Sequence, residues 1–258
     1  MWTISQVKEN GRVAFKRNYW TCVIVSVVLG FFGSSNSSPI FSLNLSDEIE
    51  STGLAWDEFW TSFFESGFFV VLISMMLIAL VIGLCISILV GNVMKVGGCR
   101  YFMENREYQT GVGAMAYGFR EGRYLGTVGR MFLRDLYIFG WSLLLVIPGI
   151  IKSYSYMLVP YILAENPDMD RKRVFELSRQ MMSGHKIEAF SLELSFIGWH
   201  LLSVLTCGIL EVLYVSPYLH ATKTEYYMAV KADAFRKGIT NSMELPGVSD
   251  FEEYKTIQ

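Results

Sequence analysis

Two carboxylates stand where an apolar chain has least use for them. Asp135 opens DLYIFGW (135–141) and Glu193 opens ELSFIGW (193–199), so each acid precedes a Gly-Trp pair at the same offset. An ionisable group within a membrane-crossing helix is costly. It marks either an ion contact between helices or a proton or ion path. Arg130 and Arg134 lie near the first acid, His185 and Lys186 near the second. His200 follows Glu193 by seven residues, on the same helical face and about 10 Å along the axis. Its ordinary pKa would suit a proton relay. Asp135, Glu193, His200 and Arg134 therefore form a candidate intramembrane polar or coupling site. The simpler alternative is ion contacts that hold helices together. Both acids are expected near the starts of outward-going helices, where the macrodipole favours negative charge.

A second set is basic. In DMDRKRVFELSRQMMSGHK (168–186), Asp170 has the type and place of a helix cap. Val174, Phe175, Ser178, Met181 and Met182 then share one face. Arg171, Lys172, Arg173 and Arg179 are left as a candidate lipid-headgroup or docking patch. Lys152 and Glu211, at corresponding places in two apolar stretches, could pair with each other across the hairpin tips; the simpler alternative is solvation. The chain carries no H-E-x-x-H, G-x-S-x-G or P-loop, and its three histidines are far apart in sequence. No catalytic residue, metal or cofactor is implied, and nothing favours nucleic acid as a partner.

The elements that must hold these residues are membrane helices. Over 258 residues the chain is 52% hydrophobic and 18% charged, with a mean hydropathy of +0.34. Phe68 to Met94 runs 27 residues without a charge, and about 20 suffice to cross a bilayer core. The four cysteines (Cys22, Cys85, Cys99, Cys207) follow no disulfide or zinc spacing. Thr3 and Gln6 have capping-box spacing, and Ile4, Val7, Gly11, Ala14 and Phe15 share a face. Residues 1–17 thus read as an amphipathic helix on the inner membrane surface. Tyr19–Phe32 reads as a short, retained first span rather than a cleaved signal. The connection 34–67 holds six acids and no Lys or Arg, and Trp56, Phe59, Trp60, Phe63 and Phe64 predict an aromatic interfacial helix. Gly118, Gly122 and Gly126 suggest a close-packed cytoplasmic helix.

Met131–Leu163 and Ile187–Leu219 are each too long for one straight crossing. They turn either at Pro148-Gly149 and Thr206-Cys207-Gly208 or not at all. If each is a hairpin, residues 1–17, 95–130, 165–186 and the tail 233–258 all lie inside. In that arrangement 21 of the 22 Lys and Arg residues fall inside or at the inner boundary, with only Lys152 outside. The expected architecture is all-α, with six transmembrane helices over residues 18–232 and both termini cytoplasmic. GWSLLLVIPGI (140–150) aligns with GWHLLSVLTCGI (198–209), and Pro160-Tyr161 with Pro217-Tyr218, so the hairpins read as a parallel repeat. The paired prolines should loosen both returning helices.

IPGIIKSYSYMLVPYILAENP (147–167), SRQMMSGHK (178–186) and LSFIGWHLL (194–202) resemble the signature of an uncharacterised integral membrane family of Gram-positive bacteria. It is the domain-of-unknown-function family nine-seven-five. The likeness runs from about Cys99 to Val230, and the acidic loop reads as a local elaboration of the family plan. The family is in turn distantly similar to the membrane domain that precedes some glycerophosphodiester phosphodiesterases, without the catalytic barrel. The resemblance implies a multi-pass cell-membrane protein and no established activity. Two functions are open at this point. One is a non-enzymatic structural or accessory module of the bacterial envelope, in contact with lipids and with a partner membrane protein or a second copy. The other is a small transporter with a polar site between the hairpins.

Overall fold

The computed structural model describes residues 3–33, 64, 67–107, 109–119 and 124–247. The aromatic helix expected within 34–67 lies outside them apart from Phe64, as do Gly122 and the last residues of the tail. Among the described residues every regular element is helical.

Helix α1 (Ile4–Arg17) opens on the expected capping box, with Thr3 and Gln6 bonded reciprocally. Val7, Gly11, Ala14 and Phe15 are buried. Their partner is protein rather than a membrane surface. The apolar face of α1 packs on the C-terminal helix, here α11 (Ser216–Arg236). A Cβ at Gly11 would stand 2.9 Å from the Thr222 Cα, so only glycine permits this approach. Tyr218 donates to the Lys8 carbonyl at 3.4 Å, and the Lys8 ammonium lies over the Phe196 ring.

After α2 (Tyr19–Gly33), α3 (Gly67–Ile86) continues through a π-helical turn at Ser87–Gly91 into α4 (Asn92–Glu107). The 39 residues Phe69–Glu107 form one rod. At 1.5 Å per residue it measures about 58 Å, nearly twice a hydrocarbon core. Side chains 70–87 are exposed, whereas most from Gly91 to Asn105 are buried. The expected boundary at Met94 is therefore a change of surroundings within one helix, not a break. A 3-10 segment, Val112–Phe119, lies against α4. A Cβ on Gly97 would fall 1.9 Å from the Met115 carbonyl oxygen. Gly118 faces Val93, while Gly126 belongs to the following helix, so the expected single glycine face does not form.

That helix is α5 (Tyr124–Leu144). It ends at Leu145, whose backbone is extended, and α6 (Val146–Ser155) packs back along it. The reversal thus comes before Pro148-Gly149, the expected turn. Pro148 instead occupies the first turn of α6, where its missing N–H costs nothing. Gly149 lets Ser142 come close: a Cβ there would meet the Ser142 Cα at 2.7 Å. Next come α7 (Val159–Glu165), α8 (Arg171–Met181), α9 (Lys186–Leu194) and α10 (Ile197–Leu205). The second turn falls at the expected Thr206-Cys207-Gly208. Cys207 and Gly208 take φ of 50° and 81°, and the Gly208 N–H closes on the Ser203 carbonyl at 2.8 Å.

Both paired prolines sit beside irregular backbone. Tyr156–Leu158 break the helix before Pro160, and a π-helical turn, Glu211–Val215, precedes Pro217. Proline has no N–H for the carbonyl four residues earlier. Those carbonyls belong to Tyr156 and Leu213, and each finds a side-chain donor from another helix: Arg134 Nε at 3.0 Å and the Tyr19 hydroxyl at 3.0 Å.

Two zones result. Phe15, Tyr101, Met103, Leu163, Leu177, Tyr226 and Tyr227 make a close-packed base from α1, α4, α7, α8 and α11. Ion pairs thread it, among them Lys231–Glu165 at 2.5 Å and Arg106–Glu225 at 2.8 Å. Away from the base, Leu143, Leu144, Val146, Ile147, Leu201 and Leu205 are exposed. An exposed apolar surface of this extent suits a hydrocarbon surround rather than water. Three helical stretches are long and apolar enough to cross a membrane: Phe69–Glu107, Val146–Glu165 and Lys186–Leu205.

Candidate functional site

The four candidate polar residues enter three different ion contacts. Asp135 lies 11 residues after the start of α5, about three turns in. The helix dipole therefore cannot be what steadies it, since that effect fades within the first turn. Arg134, its chain neighbour, does so at 3.0 Å. The same guanidinium donates to the Tyr156 carbonyl, which also accepts from the Val159 N–H at 3.3 Å. Asp135 thus anchors a cation that braces the backbone just before Pro160. Arg130 turns elsewhere, donating to the Pro167 carbonyl.

Glu193 is the penultimate residue of α9, again not at a helix start. Its cation is neither His185 nor Lys186 but Lys223 of α11, at 2.7 Å. Its second oxygen accepts from the Tyr154 hydroxyl of α6 at 2.6 Å. One carboxylate thereby joins three helices that are distant in sequence. Lys223 could have been found in the sequence, because it is the only Lys or Arg between Ile187 and Val230. Tyr154 carries no comparable signal among 14 tyrosines.

His200 bonds Glu211, not Glu193, at 3.0 Å across the Cys207 turn. Of the two alternatives for Glu211 and Lys152, the mutual pair does not form; the Lys152 ammonium stands 4.9 Å over the Trp141 ring instead. His185, at the end of the α8–α9 turn, faces Glu188 at 2.7 Å and Asp233 at 3.0 Å.

The basic set divides as well. Asp170 caps α8 by accepting from the Lys172 N–H, as its position predicts. Val174, Ser178, Met181 and Met182 are buried as expected. Phe175 meets the Tyr137 and Tyr156 rings edge-on. Arg173, however, leaves the patch. It takes both oxygens of Glu244, at 2.5 and 2.9 Å, and the Ile239 carbonyl at 2.9 Å. Its hydrogen bonds hold the Glu244 carboxyl below the usual carboxylate range. Asp233 is likewise held low, first by Lys237 and then by His185. Together with buried Leu245, these contacts fasten residues 237–247 under the base. Arg171, Lys172 and Arg179 are exposed.

Two clefts accompany these contacts. One, of about 420 Å³, lies between α1 and the Arg106–Glu225 pair. The other, of about 550 Å³, is lined by Leu125, Gly126, Gly129 and Arg130 of α5 and by Asp168, Asp170, Arg171 and Lys172. Neither includes Asp135, Glu193 or His200.

A family model described as a protein of unknown function, DUF975, matches residues 3–234. The chain belongs to this family. The match begins at the capping box, so the DUF975 plan takes in α1 as well as the motif-bearing region from Cys99 onward. No curated protein and no solved structure matches, and the likeness to the phosphodiesterase membrane domain has no counterpart among these comparisons.

Proposed function

We propose that this DUF975 member is a non-catalytic structural or accessory module of the bacterial cell membrane, crossing it six times with both termini in the cytoplasm. The crossings are α2, α3, α5, α6–α7, α9–α10 and the stretch from Ile209 into α11. Support for the two hairpins comes from the reversals at Leu145 and Cys207-Gly208, and from the basic residues that this arrangement gathers on one side. The paired proline breaks support their relation as repeats.

One observation carries the functional reading. Each candidate coupling carboxylate is matched by a cation of the same chain, Asp135 by Arg134 at 3.0 Å and Glu193 by Lys223 at 2.7 Å. A carboxylate that binds a travelling ion must give up its fixed cation in every cycle. A carboxylate that joins helices keeps it. The basic underside and exposed apolar helices suit lipid and a partner membrane protein, or a second copy.

The test uses the full chain purified from membranes. A partner protein that co-purifies reproducibly, with no proton or sodium flux in proteoliposomes, is the expected result. Flux that is lost in Glu193→Gln while the protein stays folded would favour the transporter reading and overturn this one.

A further inference from the structure

The cleft beside α8 is built unlike the rest of the underside. Three cations from two elements line it: Arg130 of α5, and Arg171 and Lys172 of the first turn of α8. Its α5 wall has two residues without side chains, Gly126 and Gly129, and nothing lies within 4 Å of the place a Gly129 Cβ would take. Arg130 is steadied by the Pro167 carbonyl. That bond uses one of the five donors of a guanidinium, whose charge also feels the Asp168 and Asp170 carboxylates of the same cleft. Asp168 and Asp170 complete the lining, so charges of both signs face the same space.

Depth selects the occupant. Arg130 immediately precedes the apolar stretch that starts at Met131, and Pro167–Asp168 follow the apolar stretch that ends at Glu165. Pro167–Asp168 thus stand at the end of a membrane-length segment and Arg130 at the start of a shorter apolar one, which in the six-span reading is headgroup level on the side assigned to the cytoplasm. We infer that this cleft binds the headgroup of an anionic glycerophospholipid with free hydroxyls. Arg130, Arg171 and Lys172 take the phosphodiester, and Asp168 and Asp170 accept from the headgroup hydroxyls. Arg173 has no part in it, being bound to Glu244. The depth assignment rests on the six-span reading above.

The probe is phosphatidylglycerol against phosphatidylcholine, with retention on the full-length protein read by native mass spectrometry. Phosphatidylglycerol should be retained preferentially. Near a membrane each basic residue contributes about fivefold to such binding, so R171E/K172E should lower retention by about 25-fold or more. Arg179→Glu, exposed and outside the cleft, should leave it near the wild-type level. Unchanged thermal unfolding of R171E/K172E would show that the loss is not misfolding. Equal retention of the two lipids, or an equal loss in R179E, overturns the site. Displacement of the lipid by equimolar free glycerophosphate overturns the lipid as its source. A Lys172→Cys variant labelled only from the extracytoplasmic side contradicts the topology, and with it the depth argument, whatever the lipids do.

Discussion

The Tyr19 hydroxyl donates to the Leu213 carbonyl at 3.0 Å, and Pro217 is the reason that carbonyl is available. Its helical partner would be the N–H of residue 217, which proline lacks. A hydroxyl on α2 thus completes a helix nearly two hundred residues later. Tyr19→Phe should therefore lower stability by about 1–2 kcal/mol, the cost of an unserved carbonyl. In a Pro217→Ala background the lost N–H returns, and the same change should cost clearly less. Thermal unfolding of the four proteins in one detergent reads this directly. Equal costs in both backgrounds would mean that the proline is not what makes Tyr19 matter.

Before Pro160 the added donor is a charged one, and the Tyr156 carbonyl also keeps a backbone bond from the Val159 N–H. Arg134 serves the Tyr156 carbonyl and is itself held by Asp135. Arg134→Met should destabilise more than Asp135→Asn, because it removes both contacts and leaves a carboxylate unmatched, a loss of about 3 kcal/mol or more. If Asp135→Asn were the more damaging change, Asp135 would hold something other than this arginine.

Gly97 and Met115 set the join between α4 and the 3-10 segment. Since a Cβ at residue 97 would fall 1.9 Å from a backbone oxygen, no side-chain rotation relieves the clash. Gly97→Ala should cost about 1–3 kcal/mol or prevent accumulation of the folded protein. Gly129→Ala, with open space above it, should be tolerated. Yields and unfolding midpoints of the two variants give the comparison.

Acid should loosen the underside first. Glu244 and Asp233 are held below the ordinary carboxylate range, by Arg173 and by Lys237 with His185 respectively. A lowered folded-state value contributes stability above the unfolded-state pKa of about 4. That contribution is lost as pH falls through the folded-state values. Proteolysis of the segment 237–247 should therefore increase below about pH 4. In Glu244→Gln the segment should already be open at neutral pH, with little further change on acidification. A cleavage rate that does not depend on pH in the wild type would contradict this account.

What was legible in the sequence is local. The Thr3–Gln6 box, the Asp170 cap, the buried face of α8 and the turn at Cys207-Gly208 all depend on residues within one or two turns of each other. The repeated motif also located Asp135 and Glu193 as residues that need partners. What was not legible is which elements meet. A pattern shows that α1 has an apolar face but not that α11 covers it. Nearness in sequence points Glu193 to Lys186, whereas the cation that reaches it is Lys223, the lone Lys or Arg of the stretch that follows. Pro148-Gly149 reads as a turn by composition, yet the chain reverses at Leu145 and uses the proline to begin α6. The basic run at 171–173 looks uniform, although Arg173 faces Glu244 while its two neighbours face the cleft.

The central claim is that the intramembrane carboxylates hold helices together. A double-mutant cycle on Glu193 and Lys223 tests it most directly, by the thermal unfolding of wild type, Glu193→Gln, Lys223→Met and the double variant in the same nanodiscs. Contacting charges of this kind couple by about 1–3 kcal/mol. Each single change should destabilise by leaving the other charge unmatched, and the double should recover a substantial part of the loss. Additive effects, or singles as stable as wild type, would contradict the account and return Glu193 to a role in moving ions.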